Sequence, residues 1–132
     1  INKINEAKRL KRKSVKLLGT GKPIREFLFA DDLAKAILLV LRSKKKVINK
    51  VCKNQFPLIN VGSGESISIK DLSKKIAKIS NYKGKIIFDD RFPDGTMKKN
   101  LNSKLMNALG WHPITSLNKG LKISIDSYIK NR

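Results

Sequence analysis

The sequence predicts a mixed α/β fold. Three observations point to it: short β-type runs at residues 15–18, 26–30, 57–61 and 85–88, apolar residues at helical spacing between them, and cap or turn residues at the junctions. Residues 1–12 read as the end of a basic amphipathic helix, with Ile1, Ile4, Ala7 and Leu10 near helical spacing. The sequence opens on isoleucine inside that pattern, so it is expected to be a segment of a longer chain. The strand at residues 15–18 leads into a glycine turn at 19–23 and a second strand at 26–30.

Asp31 and Asp32 then supply the N-cap and the first-turn negative charge that a helix start favours. Leu33, Ala36, Ile37, Val40 and Leu41 predict an amphipathic helix ending near Ser43. Residues 44–55 are polar and lysine-rich, and read as a solvated helix end and loop. Residues 57–61 read as a buried strand stopped by Gly62-Ser63-Gly64. Those glycines do not fit the spacing of a dinucleotide fingerprint, and the next helix starts too late for one, so they are read as a turn. Ser68-Ile69-Lys70-Asp71 is a capping box with Asp in place of Glu; it opens a helix carrying Leu72, Ile76 and Ile79, closed by Tyr82-Lys83-Gly84.

After the strand at 85–88 comes an irregular loop at 92–96 containing Pro93-Asp94-Gly95. Ser103 is expected to cap a short helix that Gly110 ends before Trp111. Ser116 is expected to cap the last helix, with Leu117, Leu121, Ile125, Tyr128 and Ile129 on one face. No repeat, low-complexity linker or domain boundary is visible.

The chain has 132 residues and a net charge of +20, from 30 basic and 10 acidic residues. Such an excess raises nucleic acid or an anionic membrane as partners. The basic residues are mostly lysine, scattered, and accompanied by abundant Ile and Asn, the joint signature of AT-rich codon usage. Aromatic residues are only 6%, too few for a base-stacking platform, so nucleic acid is not the expected partner. No apolar run reaches the roughly 18 residues of a transmembrane helix. The single cysteine, Cys52, cannot form an internal disulfide, and a reducing cytoplasm is the expected compartment.

A catalytic centre is hard to assemble from these residues. The one histidine, His112, has no Cys or His partner at metal-ligand spacing, so no metal site is expected. The pairs Asp31-Asp32 and Asp89-Asp90 are adjacent in sequence, and adjacency alone does not make an acid/base couple. No nucleophile elbow surrounds a serine. Two residues stand out as ligand contacts. Arg25, at a strand entrance beside glycines, offers a rigid cationic fork for phosphate oxygens, or else a surface ion pair with Glu26 or an aspartate. Asp94 could accept bonds from sugar hydroxyls, or be a plain turn residue, which Pro-Asp-Gly suits.

The segments GTGKPIREFLFADDLAKA, INVGSGESISIKDL and LGWHPITSLNKGL resemble the C-terminal, substrate-binding part of the extended short-chain dehydrogenase/reductases that act on nucleotide sugars. The narrower wording PIREFL and DDRFPDGTMKKNL is similar to the branch that epimerises and reduces a GDP-4-keto-6-deoxyhexose with NADPH. The resemblance implies that residues 1–132 form a substrate-side part, with elements that pack on a Rossmann domain absent from this sequence. It implies NADP held mainly by that domain, a GDP-sugar substrate, and a homodimer.

By position, the resemblance assigns sugar-nucleotide contacts to Arg25, Asp94, Lys99 and, on the first helix, Lys3. Leu18 stands where relatives often carry a substrate-contacting tryptophan, and Phe29-Ala30 where His-Val is common. The family's Tyr-x-x-x-Lys pair does not occur here, so neither catalytic nor cofactor-binding residues are expected in this chain, which alone is expected to be inactive.

Overall fold

The computed structural model describes residues 1–53 and 56–131. The element order is α1 (Asn2–Arg9), β1 (Ser14–Leu18), β2 (Ile24–Glu26), α2 (Ala30–Arg42), α3 (Lys45–Val51), β3 (Ser66–Ser68), α4 (Ile69–Ile79), β4 (Lys85–Asp89), β5 (Lys98–Lys99), α5 (Lys104–Ala108) and α6 (Leu117–Lys130). The expected α/β class is present. The chain nevertheless divides into two compact units where the sequence shows no boundary: Ile1–Arg25, Ile67–Lys99 and Asn118–Arg132 form one, Glu26–Ser66 and Asn100–Leu117 the other. Each unit is assembled from segments far apart in sequence, so no composition shift marks the division.

In the first unit β1 runs parallel to β4, in register from Ser14↔Lys85 to Leu18↔Asp89. Ile4 and Ala7 of α1, Val15 of β1, Ile76 and Ala77 of α4, Tyr82 and Ile125 of α6 form its core. The expected Ser68 cap forms, its hydroxyl accepting from the Asp71 amide at 3.0 Å; the Asp71 carboxylate accepts from that hydroxyl at 2.7 Å, where a full capping box would have it accept from the Ser68 backbone amide. Helix α4 ends at Ile79, and the left-handed residue after it is Asn81 (φ 52°), so the expected closure by Gly84 is displaced. On α6 the predicted face is buried only at its middle: Ile125 is covered, whereas Ile129 is exposed.

A second sheet has the order β3-β2-β5, with β2 parallel to β5 through Ile24↔Lys98 and Arg25↔Lys99. The second strand therefore lies at residues 24–26 instead of 26–30. Its position is set by partners: β5 pairs beside Ile24, whose amide donates to the Met97 carbonyl at 2.7 Å. Strands β3 and β5 are too short to leave a periodic signal.

In the second unit Ala36, Met106 and Trp111 form the core, with Leu28, Leu39, Val40, Ile59, Val61 and Leu109 packed on it. Helix α2 takes Phe29 as its N-cap, without a side-chain cap bond, so Asp31 is not the cap. Of its predicted apolar face only Ala36 is fully buried; Leu33, Ile37 and Leu41 are exposed. Residues 45–51 are helical where a loop was expected, since lysine is itself a good helix former. Asn54 and Gln55, the end of that expected loop, lie outside the described residues.

Residues 57–61 form no strand: Ile59 and Val61 pack on the core of Ala36, Met106 and Trp111 without a pairing partner among the described residues, which a strand requires. Gly62-Ser63-Gly64 is a turn, as expected. The Glu26 carboxylate holds it by accepting from the Gly64 amide at 2.6 Å, and accepts from Leu101 at 3.0 Å. Ser103 precedes α5 but its hydroxyl makes no cap bond; Gly110 (φ 83°) follows that helix, as read from the sequence.

Candidate anion-binding site

The carboxyl ends of parallel strands are where open α/β sheets present ligands. In the first unit β1 ends at Leu18 beside Asp89 at the end of β4, and the Gly19 amide donates to the Asp89 carbonyl at 2.9 Å. The segments that follow meet through Thr20 and Asp94. One Asp94 oxygen accepts from the Thr20 amide at 2.9 Å and the other from its hydroxyl, while that hydroxyl accepts from the Lys22 amide at 3.1 Å. Gly19 makes the approach possible: its φ is 78°, and a Cβ there would collide with the Asp94 carboxylate. The Thr20 hydroxyl and amide, with the nearby Lys22 and Arg25 cations, hold the Asp94 carboxyl below its usual range.

Arg25 lies within β2, not at its entrance, and is half-buried. Its Nη1 donates to the Ile24 carbonyl at 2.8 Å, and its Nη2 lies 3.6 Å from where a Cβ on Gly95 would sit. The guanidinium thus lies next to the Pro-Asp-Gly loop, and the surface ion pair with Glu26 is not formed. Lys99 is the register partner of Arg25, and partners in a parallel ladder put their side chains on the same face. Two cations therefore share one side of β2–β5, and the carboxylate of Asp94 already has both oxygens bonded by Thr20. One guanidinium donor is used internally and the rest remain for an anion. The arrangement can grip a phosphate.

The remaining sequence-derived residues are less concentrated. Leu18 is 56% exposed at the end of β1. Lys3 is exposed in the first turn of α1 and makes no hydrogen bond or ion pair among the described residues. Thr20 is the residue the sequence reading missed; its only signal was its place between two glycines. Asp89, the buried member of its pair, is bound by Arg91 at 2.7 Å and Lys16 at 3.4 Å, which hold its carboxyl far below the usual range and make it a structural anchor. His112 is exposed, and no group of three His, Cys, Asp or Glu among the described residues could hold a metal. The Gly62–Gly64 turn does not suit a dinucleotide pyrophosphate, because the Gly64 amide is occupied by Glu26, whose charge would repel phosphate.

The fold is mixed α/β, and the chain is similar in sequence and in structure to enzymes that act on nucleotide sugars. Residues 1–62 match the family model described as "NAD dependent epimerase/dehydratase family". Over 131 residues the chain is 35% identical to a GDP-L-fucose synthase of Sinorhizobium fredii, covering 99% of this chain and 39% of the relative. It is 34% identical to the GDP-L-fucose synthase of Escherichia coli, covering 100% of this chain and 41% of that protein. Among solved structures, a GDP-6-OMe-4-keto-L-xylo-heptose reductase from C. jejuni superposes with a TM-score of 0.81 at 32% identity, over 96% of this chain and 38% of that one. The chain thus spans about two-fifths of the length of the curated relatives it matches. No helix among the described residues is long and apolar enough to cross a membrane.

Proposed function

We propose that this chain supplies part of the sugar-nucleotide site of a GDP-L-fucose synthase. That enzyme converts GDP-4-keto-6-deoxy-D-mannose to GDP-L-fucose by 3,5-epimerisation and NADPH-dependent 4-reduction. The observation that carries the reading is the Arg25–Lys99 pair on one face of β2–β5, in a chain similar over 99% of its length to proteins of that name. Arg25 would hold the substrate diphosphate bidentately, Lys99 would add charge, and Lys3 and Leu18 would border the same ligand. Asp94, clasped by Thr20, would place the loop that carries Gly95 against Arg25 and offer its remaining lone pairs to sugar hydroxyls.

NADP, a homodimer and the cytoplasm belong to this reading as properties of the longer protein; NADP would be bound by residues outside this sequence, and this segment alone would turn over nothing. A related reading, another GDP-sugar reductase or epimerase, is favoured by the similarity to the GDP-heptose reductase.

The test is binding to the complete protein. GDP-fucose should raise the melting temperature more than UDP-glucose or dTDP-glucose, and Arg25→Ala should weaken GDP-fucose. A charge-assisted contact of about 1.5–3 kcal/mol corresponds to roughly 10- to 150-fold in affinity. Stabilisation by the uridine or thymidine sugar alone would rule out the GDP assignment. An Arg25→Ala protein that loses NADPH and GDP-fucose affinity equally would remove the residue from the substrate site.

A further inference from the structure

We propose that a second anion site, for a compact polyphosphate, lies at the amino ends of β1 and β4, away from Arg25. A cavity of about 480 Å³ opens there between the end of α1 and the α4–β4 connection. Its walls carry Lys8, Lys11, Arg12 and Lys13 on one side, Lys83 and Lys85 on the other, and no acidic residue. Six of ten lining residues are basic, where the chain's average of 30 in 132 would supply about two, so lysine-rich composition does not account for the cluster.

None of the six forms an ion pair among the described residues; Lys16, Lys74 and Arg91, which do, lie outside the cavity lining. Two helices, α1 and α4, end beside the cavity and favour cations there. Each C-terminus carries about half a negative charge, so together they offset about one of the six. The surplus faces an open cavity.

The cavity walls are tied together: the Tyr82 hydroxyl donates to the Arg12 carbonyl at 3.1 Å, and the Lys85 amide to the Lys13 carbonyl at 2.9 Å. Polyphosphate is favoured over nucleic acid because Tyr82, the aromatic residue in the lining, is buried and its ring abuts Gly84, leaving no face for base stacking. Recognition would rest on phosphate charge alone.

Isothermal titration of the full chain with tripolyphosphate at 0.15 M salt tests the site, with far-UV circular dichroism confirming that each variant is folded. Lys13→Glu with Lys83→Glu takes the six positive charges to a net of two, and should weaken binding by at least about tenfold. Lys45→Glu with Lys46→Glu on α3 makes the same change in total charge and should weaken it by less than about twofold, because neither lysine lines the cavity. If the reversals disturb folding, Lys13→Gln with Lys83→Gln should still weaken binding more than the α3 pair does. Equal weakening by both pairs, the absence of saturable binding, or tighter binding of a fifteen-base oligothymidylate than of tripolyphosphate would overturn the proposal.

Discussion

Removing the Asp32 carboxylate tests how the second unit holds its irregular segment at residues 113–115. Asp32 is 1% exposed, and one of its oxygens accepts from the Thr115 amide at 2.8 Å and the Ile114 amide at 3.2 Å. In Asp32→Ala the Thr115 amide, in a half-buried residue, loses its partner, at a cost of about 1–3 kcal/mol. Ile114 is 71% exposed, so its amide reaches water and only the net value of its bond, about 1 kcal/mol, is lost. The expected destabilisation is thus about 2–4 kcal/mol.

Urea unfolding followed by the fluorescence of Trp111, the one tryptophan and a core residue of the same unit, reads it directly. Asp32→Asn keeps an acceptor and should lose less than half as much. Burial pushes the Asp32 pKa up, but the Thr115 and Ile114 bonds and the Lys35 charge outweigh it, leaving the pKa below its usual value. A lowered folded-state pKa means this stability is present above the unfolded value of about 3.9 and is lost as pH falls through that range toward the folded value. Asp32→Asn should flatten that dependence. An Asp32→Ala loss below about 0.5 kcal/mol, or an Asn variant as unstable as the Ala variant, would refute the hydrogen-bond account.

Three further outcomes are expected. Gly84→Ala should destabilise the first unit by about 1–3 kcal/mol in thermal unfolding, because the new Cβ would strike the Tyr82 ring and come within 2.8 Å of the Lys13 carbonyl; an unchanged melting temperature would mean that ring moves freely. Thr20→Val should move the Asp94 carboxyl back up toward its usual pKa in a carbon-detected NMR titration, since the Thr20 hydroxyl is the main cause of its lowering; an unmoved midpoint would discount the clasp. Ser68→Ala should cost about 1 kcal/mol through loss of the α4 cap, read by circular dichroism.

What could be read in advance was local. The Ser68 cap on the Asp71 amide involves groups three residues apart, and it forms as read. The turn Gly62-Ser63-Gly64, the strands near residues 15–18 and 85–88 and the last helix were legible for the same reason. The errors fell where distant segments decide. The second strand follows its β5 partner to residues 24–26, and residues 57–61, though apolar enough for a strand, have no pairing partner among the described residues. Asp32 looked like a helix-start charge and proves to be the buried acceptor for a segment more than eighty residues away.

The candidate site divides in the same way. From the sequence alone came the α/β class, Arg25 and Asp94 as candidate ligand contacts, and, through family resemblance, Lys99, Lys3 and Leu18. Those readings rest on residue chemistry, which is fixed by identity. That Arg25 and Lys99 share one face, that Thr20 occupies Asp94, and that six cations surround one cavity were decided only by the tertiary structure. The physical reason is that strand register and chain reversal place side chains by cooperative backbone pairing and core burial, to which no short stretch of sequence contributes more than a part.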